Sequence, residues 1–369
     1  MTIRLTGTIS SWFAVLSAAV FVFNPAASNR ALASDRGSTA GTLEIYFVDV
    51  EGGQSTLIVT PTHQSLLIDA GFPGDGTFDS KPGDPTQARD ANRVLAAVRD
   101  AGLKQIDYLL VTHFHADHDG GIPELSRLIP IRTFVDHGDP NPDADKDVPG
   151  TLDAFRAYET VRGKGRHLEP NPGDRLPLAD VDAVIVSTKT LTLARPMAGA
   201  GGMNDLCKAS PIPARDPYEN PRSTGILLKF GKFRFLDVGD LTGSPLFDLA
   251  CPRDKIGPVD VYLVAHHGGP DAADPATFAA FRPRVAIMNN GLKKGGARET
   301  YTTLHQVAGL EGVWQLHHSE AASDQNFSAD RIANLDESTA YWIKLTAHAD
   351  GSFQVLNPRT STAKAYPPR

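Results

Sequence analysis

Cysteine is scarce in this chain. There are two in 369 residues, Cys207 and Cys251, and they do not form a C-x-x-C pair. A cysteine-based zinc site is therefore not expected. An excess of positive charge is also missing, since 36 Lys and Arg stand against 43 Asp and Glu. That balance argues against broad nucleic-acid binding and leaves room only for a small local cationic site. After residue 33 no segment has 18 uninterrupted apolar residues, so no membrane span is expected in the body of the chain. Repeats with a period of 20–50 residues are absent too, which excludes solenoids and propellers.

What is present is an ordinary globular composition, 41% hydrophobic, with 33 Gly and 27 Pro to supply turns and long loops. The start of the chain reads differently. Arg4 is followed by the mostly apolar run Trp12 to Phe23, and Ala31-Leu32-Ala33 then forms an A-x-A cleavage signature. The expectation is a signal peptide over residues 1–33 and a mature hydrolase domain over 34–369, in a protein exported to the periplasm or secreted. An uncleaved anchor or a buried helix is the alternative. Losing Arg4 and Arg30 would take the formal charge from −7 to −9. In an oxidising compartment Cys207 and Cys251 can bond, and they are expected to lie within bonding distance. Two buried thiols are the alternative.

Periodicity places strands at Leu43 to Val50, Ser55 to Thr60, Ser65 to Asp69, Ile106 to Val111 and Arg132 to Val135. Leu43, Ile45 and Phe47 alternate onto one face. Helices are expected over Asn92 to Ala101 and Leu152 to Val161. Further on, Val181 to Ser187 reads as a strand, residues 190–222 as a long loop, and Ser223 to Phe230 with Lys232 to Asp237 as a hairpin around Gly231. Val259 to Ala265, Arg284 to Met288 and Gly312 to Leu316 are further strands. Pro275 to Phe281 and Thr302 to Ala308 are helical candidates, and a hairpin from Ala340 to Leu356 closes the chain. Strand-rich halves that each carry helices point to two sheets face to face with helices outside.

Chemistry concentrates after the strand at Ile106, in Thr112-His113-Phe114-His115-Ala116-Asp117-His118-Asp119-Gly120-Gly121. Neutral imidazole and carboxylate are ligands for zinc and similar divalent ions. In extended chain His113 and His115 point the same way, and Asp117-His118 can curl back to serve a second ion. Gly120-Gly121 is expected to free the backbone for a turn before a helix. The alternative is a solvated polar loop.

His113-Phe-His115-Ala-Asp117-His118 resembles the signature of the metallo-β-lactamase superfamily. The resemblance implies an α/β fold, a four-layer αββα sandwich, with metals at one edge between the sheets. Leu67-Ile68-Asp69-Ala70-Gly71 is similar to the first motif, whose Asp supports the ligands. Phe235-Leu236-Asp237-Val238-Gly239-Asp240 is similar to the fourth, with Asp240 bridging two metals, and Val264-Ala265-His266-His267-Gly268 to the fifth. The branch it resembles holds the hydrolase domains of competence (DNA-uptake) proteins and surface phosphorylcholine esterases. In one respect the chain departs from the pattern. Where the third motif should supply a His it has Glu219-Asn220-Pro221-Arg222-Ser223. The first ion is then left with His113, His115, Asp240 and water, and is expected to bind more loosely.

The resemblance implies two divalent ions, zinc or alternatively manganese, and hydrolysis of a small-molecule or polymer phosphoester or phosphodiester by a bridging hydroxide. His113, His115, Asp117, His118, Asp240 and His267 are the expected ligands. Asp117 would also position the nucleophile, His266 would donate a proton and Asp69 would orient a ligand. Rival readings are a lactonase or β-lactamase with the same ligands, and a non-catalytic metal-binding envelope protein. Asp69 could be a turn residue and Asp240 a loop acid. His137 reads equally as a residue facing the site edge or as a surface turn, while Asn289, Asn290 and Lys293 read as a turn or a substrate loop. His317 and His318 read as a solvated loop or as site residues.

Overall fold

In the strand Leu43–Phe47 the residues Leu43, Ile45 and Phe47 join one apolar cluster, while Tyr46 joins another on the opposite face. Both faces are therefore buried, which requires layers on either side. The computed structural model describes residues 41–74, 87–213 and 217–369. The leader, its cleavage site and the start at Ser34 lie outside the described residues.

The first sheet runs, edge to edge, through Thr362–Tyr366, Phe353–Asn357, Ile343–Ala347, Leu43–Phe47, Thr56–Val59, Ser65–Ile68, Ile106–Leu110, Ile131–Val135 and Arg166–Leu168. The second runs through Ile332–Asn334, Gly312–His317, Val285–Met288, Val261–Leu263, Phe233–Asp237, Gly225–Phe230, Asp182–Thr188 and Arg175–Leu176. Between the sheets lies a core that includes Ile45, Phe47, Phe235, Ile287 and Trp314, with Phe47 and Phe235 meeting edge to face at 5.8 Å. Outside the first sheet pack Arg89–Asp100, Ile122–Leu128 and Thr151–Arg162, through residues such as Val94, Leu125 and Phe155. Outside the second pack Gly243–Ala250, Pro275–Phe281 and Arg298–Leu304, through Leu246, Phe278 and Tyr301. This is the expected four-layer αββα sandwich.

Several elements differ from the sequence reading. The helix expected over Thr302 to Ala308 is Arg298–Leu304, because Thr300, Tyr301 and Leu304 make its buried face. The last hairpin gains a third strand, Thr362–Tyr366, whose apolar pattern is weak but whose Tyr366 hydroxyl accepts from Trp314 Nε1 at 3.0 Å. The loop over 190–222 contains the short strand Leu191–Thr192 and two single helical turns, Asp205–Lys208 and Asn220–Arg222. Gly120 and Gly121 have ordinary helical φ values, near −63° and −77°. They are needed for close approach and not for the turn, since a Cβ on Gly121 would strike the Ala70 carbonyl oxygen and one on Gly120 would meet Pro73.

A buried ion network ties the sheets together at one edge. His317 Nε2 lies 2.8 Å from Asp49 Oδ1 and 3.2 Å from Glu51 Oε2, while Arg93 Nη1 donates to both carboxylates at 2.8 and 2.9 Å. The same three residues could hold a cation, but Arg93 already pairs with both acids and His317 lies within reach of each. Cys207 and Cys251 are bonded, with Cα atoms 5.7 Å apart, in the usual range. Among the described residues no helix is long and apolar enough to cross a membrane.

Candidate metal centre

Parallel strands put their carboxyl ends on one edge, and loops leaving those ends converge there. Ser65–Ile68 pairs in parallel with Ile106–Leu110, and Phe233–Asp237, Val261–Leu263 and Val285–Met288 are parallel in the other sheet. Asp69, the 113–118 cluster, Asp240 and His266-His267 all follow the carboxyl ends of these strands.

Four side chains from three strand ends meet at one point. His118 Nε2 is 3.1 Å from Asp240 Oδ2, 3.4 Å from Asp117 Oδ2 and 3.3 Å from His267 Nε2. His267 Nε2 is 3.2 Å from Asp117 Oδ2 and 3.1 Å from Asp240 Oδ2. An ion held about 2.0–2.1 Å from four tetrahedral ligands sets them roughly 3.3–3.4 Å apart. These separations therefore fit a tetrahedral divalent ion. All four residues are at most slightly exposed. Burial pushes the His118 imidazole down, but Asp240, Asp117 and Asp69 hold it well above its usual range.

His113 and His115 stand beside this group. His113 Nε2 and His115 Nδ1 are 3.0 Å apart, and His113 Nε2 is 3.9 Å from Asp240 Oδ2. Burial lowers both imidazoles, His113 strongly, with neighbouring histidines adding to the shift. Both are therefore neutral, the state that offers a lone pair to a metal. Among the described residues Asp240 Oδ1 is buried without a hydrogen-bond partner, and so is Asn220 Oδ1, at the position where the third-motif His is missing. His113, His115 and Asp240 would hold a second divalent ion.

The supporting residues are explicit. Asp69 Oδ2 accepts from His118 Nδ1 at 2.7 Å and from the Thr112 hydroxyl at 2.7 Å, while Oδ1 accepts the Thr112 amide at 2.8 Å. This fixes the His118 tautomer and turns Nε2 towards the centre. His137 is buried and lies 3.1 Å through Nε2 from Glu219 Oε2. Glu219 also accepts the Asn141 amide, so the turn that presents Asn220 is anchored from below. His167, the remaining His between residues 138 and 240, lies 2.8 Å from Asp136 and takes no part in the centre.

His266 and His267 do not follow strand alternation. The strand ends at Leu263, and both histidines are left-handed, with φ of 49° and 52°. Their rings diverge. His267 enters the tetrahedral group. His266 Nδ1 sits 2.8–2.9 Å from the Asp271 carboxylate, and its Nε2 faces Asn220 Nδ2 at 3.4 Å and Asp240 Oδ2 at 3.8 Å. Burial lowers the His266 pKa, but Asp240 and Asp271 outweigh it and raise it to about 9.

Other candidates go elsewhere. Lys293 is exposed, and its neighbour Lys294 reaches the centre, donating to Asp117 Oδ2 and, at 2.8 Å, to the Gly52 carbonyl. Asn289 donates to Gln54 Oε1 at 3.2 Å, and Gln54 donates to Asp237 beneath the site. Asn290 donates to the His317 carbonyl oxygen. His317 belongs to the Asp49–Glu51 network, and His318 is half-buried outside the centre. Nothing in the local sequence marked Lys294 over Lys293; the choice is made by a loop conformation with Gly295 and Gly296 at positive φ.

Residues 48–192 match the family model described as Metallo-beta-lactamase superfamily. The chain carries a metallo-β-lactamase superfamily domain. A hydroxyacylglutathione hydrolase from Alkalilimnicola ehrlichii is 37% identical over 67 residues, which is 18% of this chain and 23% of that protein. Among solved structures, the metallo-beta-lactamase fold protein YhfI from Bacillus subtilis aligns at 12% identity and a TM-score of 0.43, over 74% of this chain and 96% of that one. CmlA, a diiron beta-hydroxylase from Streptomyces venezuelae, aligns at 17% identity and a TM-score of 0.37, over 68% of this chain and 45% of CmlA. The match therefore spans less than a quarter of the hydroxyacylglutathione hydrolase and less than half of CmlA.

Proposed function

We propose that the protein is an exported, binuclear metal-dependent hydrolase of phosphoesters or phosphodiesters. The observation that carries the reading is the tetrahedral group of Asp117, His118, Asp240 and His267, with neutral His113 and His115 beside it. Imidazole and carboxylate donors at these separations suit zinc, with manganese as the alternative. When bound, two such ions supply Lewis acidity and a water of lowered pKa.

The chain's own residues supply the rest. Asp69 and Thr112 hold His118 in one tautomer. Asp117 lies at the centre, where it can orient a nucleophilic water. His266 presents Nε2 towards Asp240 and Asn220 with its other nitrogen on Asp271, so it can give a proton to the departing oxygen. Lys294 and His266 bring two cations to the site, and these suit a substrate with anionic oxygens better than a neutral lactone. Export is supported by Ala31-Leu32-Ala33 and by the disulfide, a bond typical of oxidising compartments.

A panel of chromogenic substrates, assayed with zinc or manganese, tests this. Phosphomonoesters or phosphodiesters should be turned over well ahead of a lactone and a cephalosporin. Preference for the lactone or cephalosporin would overturn the substrate class. A metal-loaded protein active on none of them would overturn the enzyme reading.

A further inference from the structure

An apolar cleft of about 730 Å³ opens beside the metal centre, a size that holds a small organic group. Its wall includes Leu206, Pro211, Leu246, Phe247 and Pro270. Two of its residues connect it to the site. Asp271 lines the cleft and holds His266 Nδ1, while Thr242 lines it two residues after Asp240. Thr242 stands at the N-cap of Gly243–Ala250, yet its hydroxyl does not cap that helix; the oxygen is buried and has no hydrogen-bond partner among the described residues.

The carboxylates of the cleft are already engaged or at its margin. Asp271 is paired with His266, and Asp274 Oδ1 accepts the Ala276 amide and the Ser210 hydroxyl. Glu299 lies in the first turn of Arg298–Leu304, where the helix dipole favours it. An anionic group would meet these acids unfavourably, and a neutral apolar group would not. The outer wall continues as exposed apolar side chains, with Leu206 at 46% exposure and Ile212 at 82%. This wall is fastened to the body by Cys207–Cys251, and by Asn204 Nδ2 donating to the Ala250 and Ala276 carbonyls.

We propose that this cleft binds a neutral alkyl chain in the alcohol part of the substrate, and that the disulfide holds its wall in place. The proposal rests on the phosphoester reading for its chemistry, and narrows it to hydrophobic esters. In the reaction water's oxygen forms the new bond to phosphorus, the bond from phosphorus to the alkyl oxygen breaks, and the alcohol leaves with a proton from His266; the phosphate product carries the water's two protons and returns one to His266. The chain then lies in the cleft with Thr242 near its oxygen.

The test uses methyl, butyl and octyl phosphate, reading released phosphate, with calorimetric binding of the matching alkylphosphonates as a measure independent of turnover. In the full metal-loaded protein kcat/KM and affinity should rise with length, by up to about fourfold per methylene and at least a hundredfold overall. Leu206→Asp should keep the metals and the affinity for methylphosphonate and lose at least tenfold of the octyl preference. The double variant Cys207→Ser with Cys251→Ser should lose at least threefold. Equal affinity for all lengths in the native protein, or an octyl preference unchanged in Leu206→Asp, would overturn the proposal. Length-dependent binding without hydrolysis of any ester would keep the cleft and overturn the phosphoester reading.

Discussion

His266 and His267 each have φ near +50°, a conformation that costs a non-glycine residue roughly 1 kcal/mol or more. The two consecutive left-handed residues turn adjacent rings to different targets, one into the tetrahedral group and one onto Asp271. Replacement separates their roles. His267→Ala should lose one equivalent of metal and at least a hundredfold in kcat together. His266→Ala should keep both metals and lose about 10²-fold or more in kcat, most with poor leaving groups, where proton donation matters. Metal analysis beside kinetics with two leaving groups reads both effects. Loss of metal from His266→Ala with retention in His267→Ala would reverse the assignment. That the rings of His266 and His267 go to different partners was legible in the adjacent pair, but strand alternation was the wrong reason, because both residues are left-handed beyond the strand end.

Elements meet at this edge with little slack. Gly121 opens the helix Ile122–Leu128 against the backbone of Ala70, so a methyl group there strikes a carbonyl that cannot swing away. Gly121→Ala should cost about 3 kcal/mol and weaken metal binding, because Ala70 follows Asp69 and its amide is held by the His118 carbonyl. Urea unfolding and a zinc titration of the variant check both, and an unchanged midpoint would refute the steric argument. Across the sheets, His317 bridges the end of Gly312–His317 to Asp49 and Glu51. Burial lowers its pKa, but the two carboxylates more than reverse this and the net shift is upward. A folded pKa above the unfolded value, about 6.5, makes this stabilisation complete below about pH 6.5. It is lost as pH rises through the folded value. His317→Ala should cost about 3 kcal/mol at pH 6 by leaving two acids to Arg93. The gap to wild type should narrow by pH 9; a constant gap would show that the imidazole is not the titrating group. The pairing was invisible in sequence, since Asp49 and His317 are joined only by the packing of the two sheets.

For the whole molecule, export predicts a mature chain that starts at or near Ser34. N-terminal sequencing of protein from the native envelope fraction decides it, and a start at Met1 or Thr2 would defeat it. The sequence by itself determined the layers and the donor types. Alternation such as Leu43, Ile45 and Phe47 is a local property of extended chain, and two-residue spacing at a strand end brings His113 and His115 together without help from distant residues. The tertiary structure decided the distances. Asp117 and His267 lie 150 positions apart and approach to 3.2 Å because both follow strands whose carboxyl ends share one edge of the sandwich. The same packing chose Lys294 over Lys293, buried His137 under Glu219, and placed Asn220 where a His was missing. Short-range spacing fixes which way a side chain leaves the backbone, but strand order, close glycine approaches and loop conformation fix what it meets.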